Sequence, residues 1–332
     1  MHSTVVGGAA LNVRTLQRQL AGLLPGSRSV DGESTLELTT QGNDAPRLIS
    51  ATVLERDRLE AHSVTGECTP GFRAFLDGTQ RSQVVSFVGS APVVMGTVAA
   101  AVRERRDRRM HTWQQPLVEK KVYVPRAFLP SSAWSIMTEI LGDDLIDTTE
   151  GLPDVISHPY ALRDAAFHRV QSRREQVEQR LAERWCEEEG DALFIDGGIS
   201  GSDRVAVSAF TIGVVKSHRT LYAEGEALAT ILALKYRERS SVFRITSTKR
   251  KAVASWYLRM RDPDGHDPMW GLIRAEIALP DQARMTELGP RADEVSRWIL
   301  AEASPLALPD GRWDKMVYGV RDCEEFLRAI TG

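Results

Sequence analysis

The stretch Asp191-Ala192-Leu193-Phe194-Ile195-Asp196-Gly197-Gly198 decides how the chain is read. Apolar residues run into an aspartate, and two glycines follow. A run this short and this apolar predicts a strand buried on both faces. Asp196 falls at its C-terminal end, where a central strand opens toward a crevice. The glycines let the backbone turn with φ > 0 and admit the close approach of another chain or a phosphate. The same design recurs at Phe72-Arg73-Ala74-Phe75-Leu76-Asp77-Gly78. Asp-Gly after a strand is also ordinary turn chemistry. Two matched instances, far apart in sequence, point to two carboxylates facing one site.

Working outward, Tyr160 to Glu189 is predicted to be a long helix. Phe167, Val170, Val177, Leu181 and Trp185 share one stripe, and Gly190 ends it. After the Asp196 strand, Val205 to Lys216 reads as a strand and Leu228 to Tyr236 as a helix. Ala252 to Arg261 and Leu272 to Leu279 alternate like strands. In the second of these, Arg274 and Glu276 share one face, with Ile273, Ala275 and Ile277 on the other. Arg291 to Ala303 and Asp322 to Ile330 read as helices.

Toward the N-terminus, Gly71 to Gly89 is expected to form a hairpin, with Phe72 to Leu76 and Gln83 to Val88 as its arms. Val93 to Val102 and Leu117 to Val124 are further apolar stretches. Pro125 to Pro159 reads as an insertion or connector with one short helix near Trp134 to Leu141. Residues 10 to 65 read mostly as helix: Leu11, Leu16, Leu20 and Leu23 fall at helical spacing before Pro25-Gly26, and Ile49 to Leu59 is amphipathic and charged. This segment is expected to be an arm that contacts a partner or a second copy.

The chain has 332 residues, 42% of them hydrophobic, and a formal net charge of −3. It can bury one large core or two smaller ones. The charge argues against a surface that binds nucleic acid everywhere, while leaving room for a local basic groove. Cys68, Cys186 and Cys323 lack metal or disulfide spacing, so a reducing, cytoplasmic setting is expected. No signal peptide is expected, and no stretch approaches the roughly 18 apolar residues of a membrane span. The sequence contains no Walker A, GxGxxG, HExxH or GxSxG motif.

Glu178 lies at the margin of the long helix's apolar stripe, whereas Glu175 and Glu183 point further toward solvent. A carboxylate there needs a partner. Arg174 or Arg180 would serve, and so would a metal ion. Asp77, Glu178 and Asp196 together offer three hard oxygen donors, a set that suits Mg²⁺ or Mn²⁺. Two such ions, about 4 Å apart, can activate a water and stabilise a leaving oxyanion in phosphodiester cleavage. Lys216 either assists at the scissile phosphate or is a solvated strand end. Arg274 either pairs with Glu276 or reaches a phosphate. Basic runs at Arg103 to Arg109, Arg169 to Arg174 and Arg244 to Lys251 (Arg244, Lys249, Arg250, Lys251) lie where a nucleic-acid groove would need them.

These residues resemble the NurA nuclease family. The matching pieces are Phe75-Leu76-Asp77-Gly78, the helix Arg174 to Ala182 and Leu193-Phe194-Ile195-Asp196-Gly197. Gly213-Val214-Val215-Lys216 and Gly271 to Ile277 match in type and order. The resemblance covers roughly residues 70 to 330. It implies an RNase H-like core, Mn²⁺- or Mg²⁺-dependent DNA cleavage, a homodimer and a partner, the hexameric HerA-type ATPase. The family's C-terminal tyrosine-proline element, with a histidine shortly after, is altered: Gly319 follows Tyr318, and no histidine follows His266. Tyr318 and Asp322, or Glu325, are the candidate C-terminal contributors.

The expected protein is therefore α/β: an RNase H-like mixed sheet flanked by helices, with a helical N-terminal arm. The arm covers residues 1–69. The nuclease domain covers 70–332, with the insertion at about 125–159. Asp77, Glu178 and Asp196 would hold one or two metal ions, Lys216 would assist, and Arg274, Lys249 and Arg250 would bind DNA. The role would be end processing in DNA repair or defence against foreign DNA. The alternatives are another RNase H-like nuclease, cutting junctions or an RNA strand, and a non-catalytic DNA-binding or assembly subunit.

Overall fold

Helix α1 (Val13–Leu23) opens the computed structural model, which describes residues 12–24, 27–29, 45–107, 109–150, 152, 158–247, 250–303 and 318–331. Four short strands follow: β1 (Ser27–Ser29), β2 (Arg47–Leu48), β3 (Thr52–Val53) and β4 (Ala61–Ser63). Next comes an antiparallel meander of three long strands, β5 (Ala74–Val88), β6 (Ala91–Arg106) and β7 (Arg109–Val124). Helix α2 (Ser131–Leu141) and strand β8 (Leu145–Asp147) lead to the 30-residue helix α3 (Pro159–Glu188). Then come β9 (Leu193–Asp196), the short helix α4 (Asp203–Val207), β10 (Thr211–Val215), β11 (Thr220–Leu221) and α5 (Gly225–Leu232). Strands β12 (Glu238–Ser240), β13 (Phe243–Ser247), β14 (Arg250–Arg259) and β15 (Leu272–Ala278) precede helices α6 (Leu288–Ala303) and α7 (Tyr318–Thr331).

Among the described residues the main sheet holds 13 strands: ten follow the path β3-β13-β14-β15-β10-β9-β5-β6-β7-β8, and off it β1 pairs with β5 and β12 with β14 and β4. It is mixed: β9 runs parallel to both β5 and β10, while β6 runs antiparallel to both β5 and β7. This is the mixed sheet flanked by helices expected from the sequence. Alternation along β5 sorts its two faces. Ala74 and Leu76 pack with Val170, Val177, Leu181 and Trp185 of α3. Phe75 packs on the opposite side with Val295 and Ile299 of α6 and with Val320 and Cys323 of α7. Each such side chain contributes about 1.5–3 kcal/mol of transfer free energy when fully buried. The apolar stripe of α3 is therefore the reason this helix lies across the centre of the sheet.

Three local expectations are corrected. Phe72 to Leu76 is not one arm of a short hairpin, because β5 continues through Asp77 and Gly78 to Val88, paired with β6 on both sides of a bulge at Val85. The turn comes at Gly89, whose φ of 61° suits a glycine. Val205 to Lys216 begins as α4, and only Thr211–Val215 is strand. Among the described residues of 12–65 only α1 is helical. Leu16 and Leu20 bury against Val85, Val93 and Met137, but no such stripe continues from Ile49 to Leu59. There Thr52 and Val53 pair with β13, and Ala61–Ser63 with β12. These short strands add to the main sheet.

Candidate metal centre

Strand β9 is the shortest of the central strands, and its end creates the site. Its pairing with β5 stops at Leu76↔Ile195, and its pairing with β10 stops at Val214↔Asp196. The chain then turns away at Gly197, whose φ is 140°. Asp196 is thus the last residue of β9, and Asp77 is the first residue of β5 past the pairing. Both follow Phe75 and Phe194 by two positions, so they share the face covered by α7. Helix α7 brings Glu324 to the same place. One carboxylate oxygen from each of Asp77, Asp196 and Glu324 lies within 4.8 Å of the others.

Asp77 is 8% exposed. Burial raises its pKa to about 8, reinforced by the charges of Asp196 and Glu178 and opposed by Lys216 and the Gly78 N–H. That N–H donates to Asp77 Oδ1 at 2.8 Å. Lys216 Nζ donates to Asp196 Oδ2 at 2.8 Å. Lys216 pairs with Asp196, and the largely exposed Arg328 lies 3.6 Å from Glu324, so each cation serves one carboxylate, whereas a divalent cation would serve all three. Oxygen-only donors on a rigid strand end fit Mg²⁺ or Mn²⁺ better than a softer metal.

Glu178 is not one of the three. Its side chain is 14% exposed, and Arg174 Nη1 donates to its Oε1 at 2.7 Å. It approaches from the α3 side, against Gly78. Burial raises its pKa to about 7 despite Arg174, with Glu175 and Asp196 adding to the rise. Between Glu178 and Asp196 opens a cavity of about 210 Å³, which Arg250 also lines.

Arg274 does not reach the site. It is buried, its Nη1 donates to Glu276 Oε1 at 2.6 Å, and its guanidinium stacks on Tyr222. Glu276 in turn accepts from the Ile199 N–H, so the pair anchors the loop after β9. Asp322 pairs with Arg103 at 2.5 Å, and Glu325 is paired with Arg321 on the exposed side of α7. Lys249 and the Tyr318 side chain lie outside the described residues. The basic runs are largely spent internally. Arg105 grips Glu302 through two bonds of 2.7 Å, Arg106 and Arg73 share Glu104, and Arg173 holds Glu119.

Glu324 was not foreseen. Its signal is present: Val320, Cys323 and Leu327 form the buried stripe of α7, and Glu324 stands four residues after Val320 on that stripe. This is the same argument that singled out Glu178.

No family model matches the sequence, and no curated protein matches it. Among solved structures, the chain is similar to the crystal structure of the NurA nuclease from Sulfolobus solfataricus. The likeness has 10% identity and a TM-score of 0.47, and covers 80% of this chain and 81% of that one. At that level it concerns the course of the chain and assigns no residue a role. Among the described residues no helix is long and apolar enough to cross a membrane.

Proposed function

We propose that this chain is a metal-dependent deoxyribonuclease of the NurA type. The observation that carries the reading is the convergence of Asp77, Asp196 and Glu324 within 4.8 Å at the end of a central strand, with Lys216 on Asp196. Asp77, Asp196 and Glu324 would hold Mn²⁺ or Mg²⁺, and Glu178 would join them from the α3 side if a second ion binds. When bound, the metal would activate a water and stabilise the leaving oxyanion of a phosphodiester.

The chain's own residues do the rest. The Gly78 N–H fixes the plane of the Asp77 carboxylate by holding one of its oxygens. Lys216 orients Asp196 and places a positive charge beside the phosphate that is attacked. Arg250, exposed at the mouth of the cavity, gives the DNA backbone a contact without sequence preference. The two like charges nearest Asp77 favour cation binding over an empty site, so the metal is held most tightly once Asp77 has lost its proton.

The sequence carries no phosphate-cradling loop, so movement along DNA would come from a partner. The sequence resemblance makes that partner a HerA-type hexameric ATPase, serving two copies of this chain. Residues 1–69 are our candidate for the docking contacts. The setting would be cytoplasmic end processing, in repair or in defence against foreign DNA. The test is cleavage of single-stranded, duplex, RNA–DNA hybrid and branched substrates with Mn²⁺, Mg²⁺ or EDTA, with and without the ATPase and ATP. DNA cleavage that needs the ion and is stimulated by the ATPase supports the reading. Equal products in EDTA, or cleavage of the RNA strand alone, contradicts it.

A further inference from the structure

We propose that the cavity beside Asp196 seats one unpaired nucleobase, so that DNA is engaged at a frayed or single-stranded nucleotide. This rests on the nuclease reading and adds the form of the substrate. The cavity lies between α3, the loop after β9 and the start of β14. Its floor is apolar and buried, made of Leu76, Ala182, Ile195 and Val205. Its rim is polar, with Gln179 and Ser202. Its mouth holds Glu178 and Asp196, and Asp196 is the residue that the cavity shares with the carboxylate cluster.

Size and charge narrow the occupant. A volume of about 210 Å³ falls below the roughly 300–1,000 Å³ that drug-sized ligands fill, so it holds one ring system and not a dinucleotide. Glu175, Glu178 and Asp196 line the space, and Arg174 already pairs with Glu178. A phosphate inside it would face those carboxylates. A neutral planar group, with an apolar face for the floor and a hydrogen-bonding edge for the Gln179 amide, meets both demands; the Ser202 hydroxyl on the wall already donates to Glu183. With the base seated, its own phosphate falls at the mouth, beside Asp196. A base held in a duplex cannot enter, so the nucleotide must be unpaired or drawn out of the stack.

Gly201 offers a way to close the cavity. Its backbone has no positive φ, and a methyl group there would run into the Gln179 amide, the flexible end of a side chain. Hairpin duplexes ending in one unpaired nucleotide, on the 3′ or the 5′ strand, would carry a natural base, 2-aminopurine or an abasic sugar at that position. In Mn²⁺, kcat/KM is expected to be roughly tenfold higher with a base than with the abasic sugar, the scale of burying one face of a ring against apolar side chains. The 2-aminopurine fluorescence should change when the full-length protein binds with the metal withheld by EDTA. Gly201→Val should bring the base-to-abasic ratio to about one, and Gln179→Trp, which fills the space from α3, should do the same if Gly201→Val fails to fold. Equal rates for base and abasic ends in a protein that does cut DNA, or an unchanged fluorescence on binding, overturns the seat. Failure to cut any DNA with either ion overturns the nuclease reading instead.

Discussion

Glu178 occupies the space that a side chain at position 78 would need: a methyl group on Gly78 would stand 2.7 Å from Glu178 Cγ and closer still to Oε1. Gly78 sits in the middle of an extended strand and has no positive φ. Glycine is needed there because α3 comes close, not because the chain turns. Gly78→Ala should therefore push Glu178 away from Asp77. The expected outcome is a loss of Mn²⁺-dependent cleavage as large as that of Glu178→Gln, with an overpacking cost of about 1–3 kcal/mol in denaturant unfolding. An active Gly78→Ala protein would mean that Glu178 is not needed at that position.

Asp77 keeps its proton to about pH 8, above its ordinary 3.8, because it is buried beside Asp196 and Glu178. The sign follows from proton counting. Between those two values the folded protein binds the proton and the unfolded chain does not, so metal-free stability falls as pH rises from about 4 to about 8. Asp77→Asn removes the buried charge. In EDTA at pH 8 it should melt higher than the wild type, while cleavage in Mn²⁺ drops about 10²- to 10³-fold. A melting temperature for Asp77→Asn below that of the wild type at pH 8 would show that the carboxylate is stabilised by something other than a cation.

Metal binding should follow the same proton. Mn²⁺ must displace it from Asp77, so the rise in melting temperature at a fixed Mn²⁺ concentration is expected to be larger at pH 8 than at pH 6. Differential scanning fluorimetry at the two pH values reads this directly, and an equal rise at both would remove Asp77 from the ligand set.

Neighbouring acids on α7 should behave differently. Glu324 meets Asp77 and Asp196, whereas Glu325 points outward to Arg321. Glu324→Gln should weaken Mn²⁺ affinity, read by calorimetry, by at least the roughly 10- to 100-fold that loss of a mere outer-shell partner costs. Glu325→Gln should leave it unchanged. Asp322→Asn would break the pair with Arg103 and should lower stability without touching the metal affinity.

On α3 the contrast is between Glu178 and Glu175. Glu178→Gln should lower kcat by about 10²-fold. Glu175 lies further along the rim and bonds to Gln171, so Glu175→Gln should change the rate little. The reverse order would mean that the helix presents a different face to the site.

Much of this was legible in the sequence, and the misreadings have physical causes. The apolar runs ending in Asp77 and Asp196 disclosed both carboxylates, because a buried strand that ends in an acid is a local pattern. The stripe Val170, Val177, Leu181 disclosed α3 for the same reason. Gly78 reads as a turn in the sequence because close approach and positive φ call for the same residue, and only the partner helix tells them apart. Glu324 stood on a readable stripe, yet Asp322 and Glu325 beside it looked equally acidic until the phase of α7 was fixed. The Arg103 to Arg109 run looked like a binding groove because the partners of Arg103 and Arg105, Asp322 and Glu302, lie 219 and 197 residues away. Pairing over such distances leaves no local trace.

A divalent ion shared by Asp77, Asp196 and Glu324 can be seen by its own scattering. A crystal of the full-length protein grown with Mn²⁺, with data collected at the manganese absorption edge, tests it most directly. The expected result is an anomalous peak with carboxylate oxygens of Asp77 and Asp196 about 2.0–2.6 Å from it, Glu324 as a third ligand, and no such peak in Asp77→Ala crystals grown the same way. A structure in which Mn²⁺ is absent from these carboxylates while Lys216 still pairs with Asp196 would contradict it.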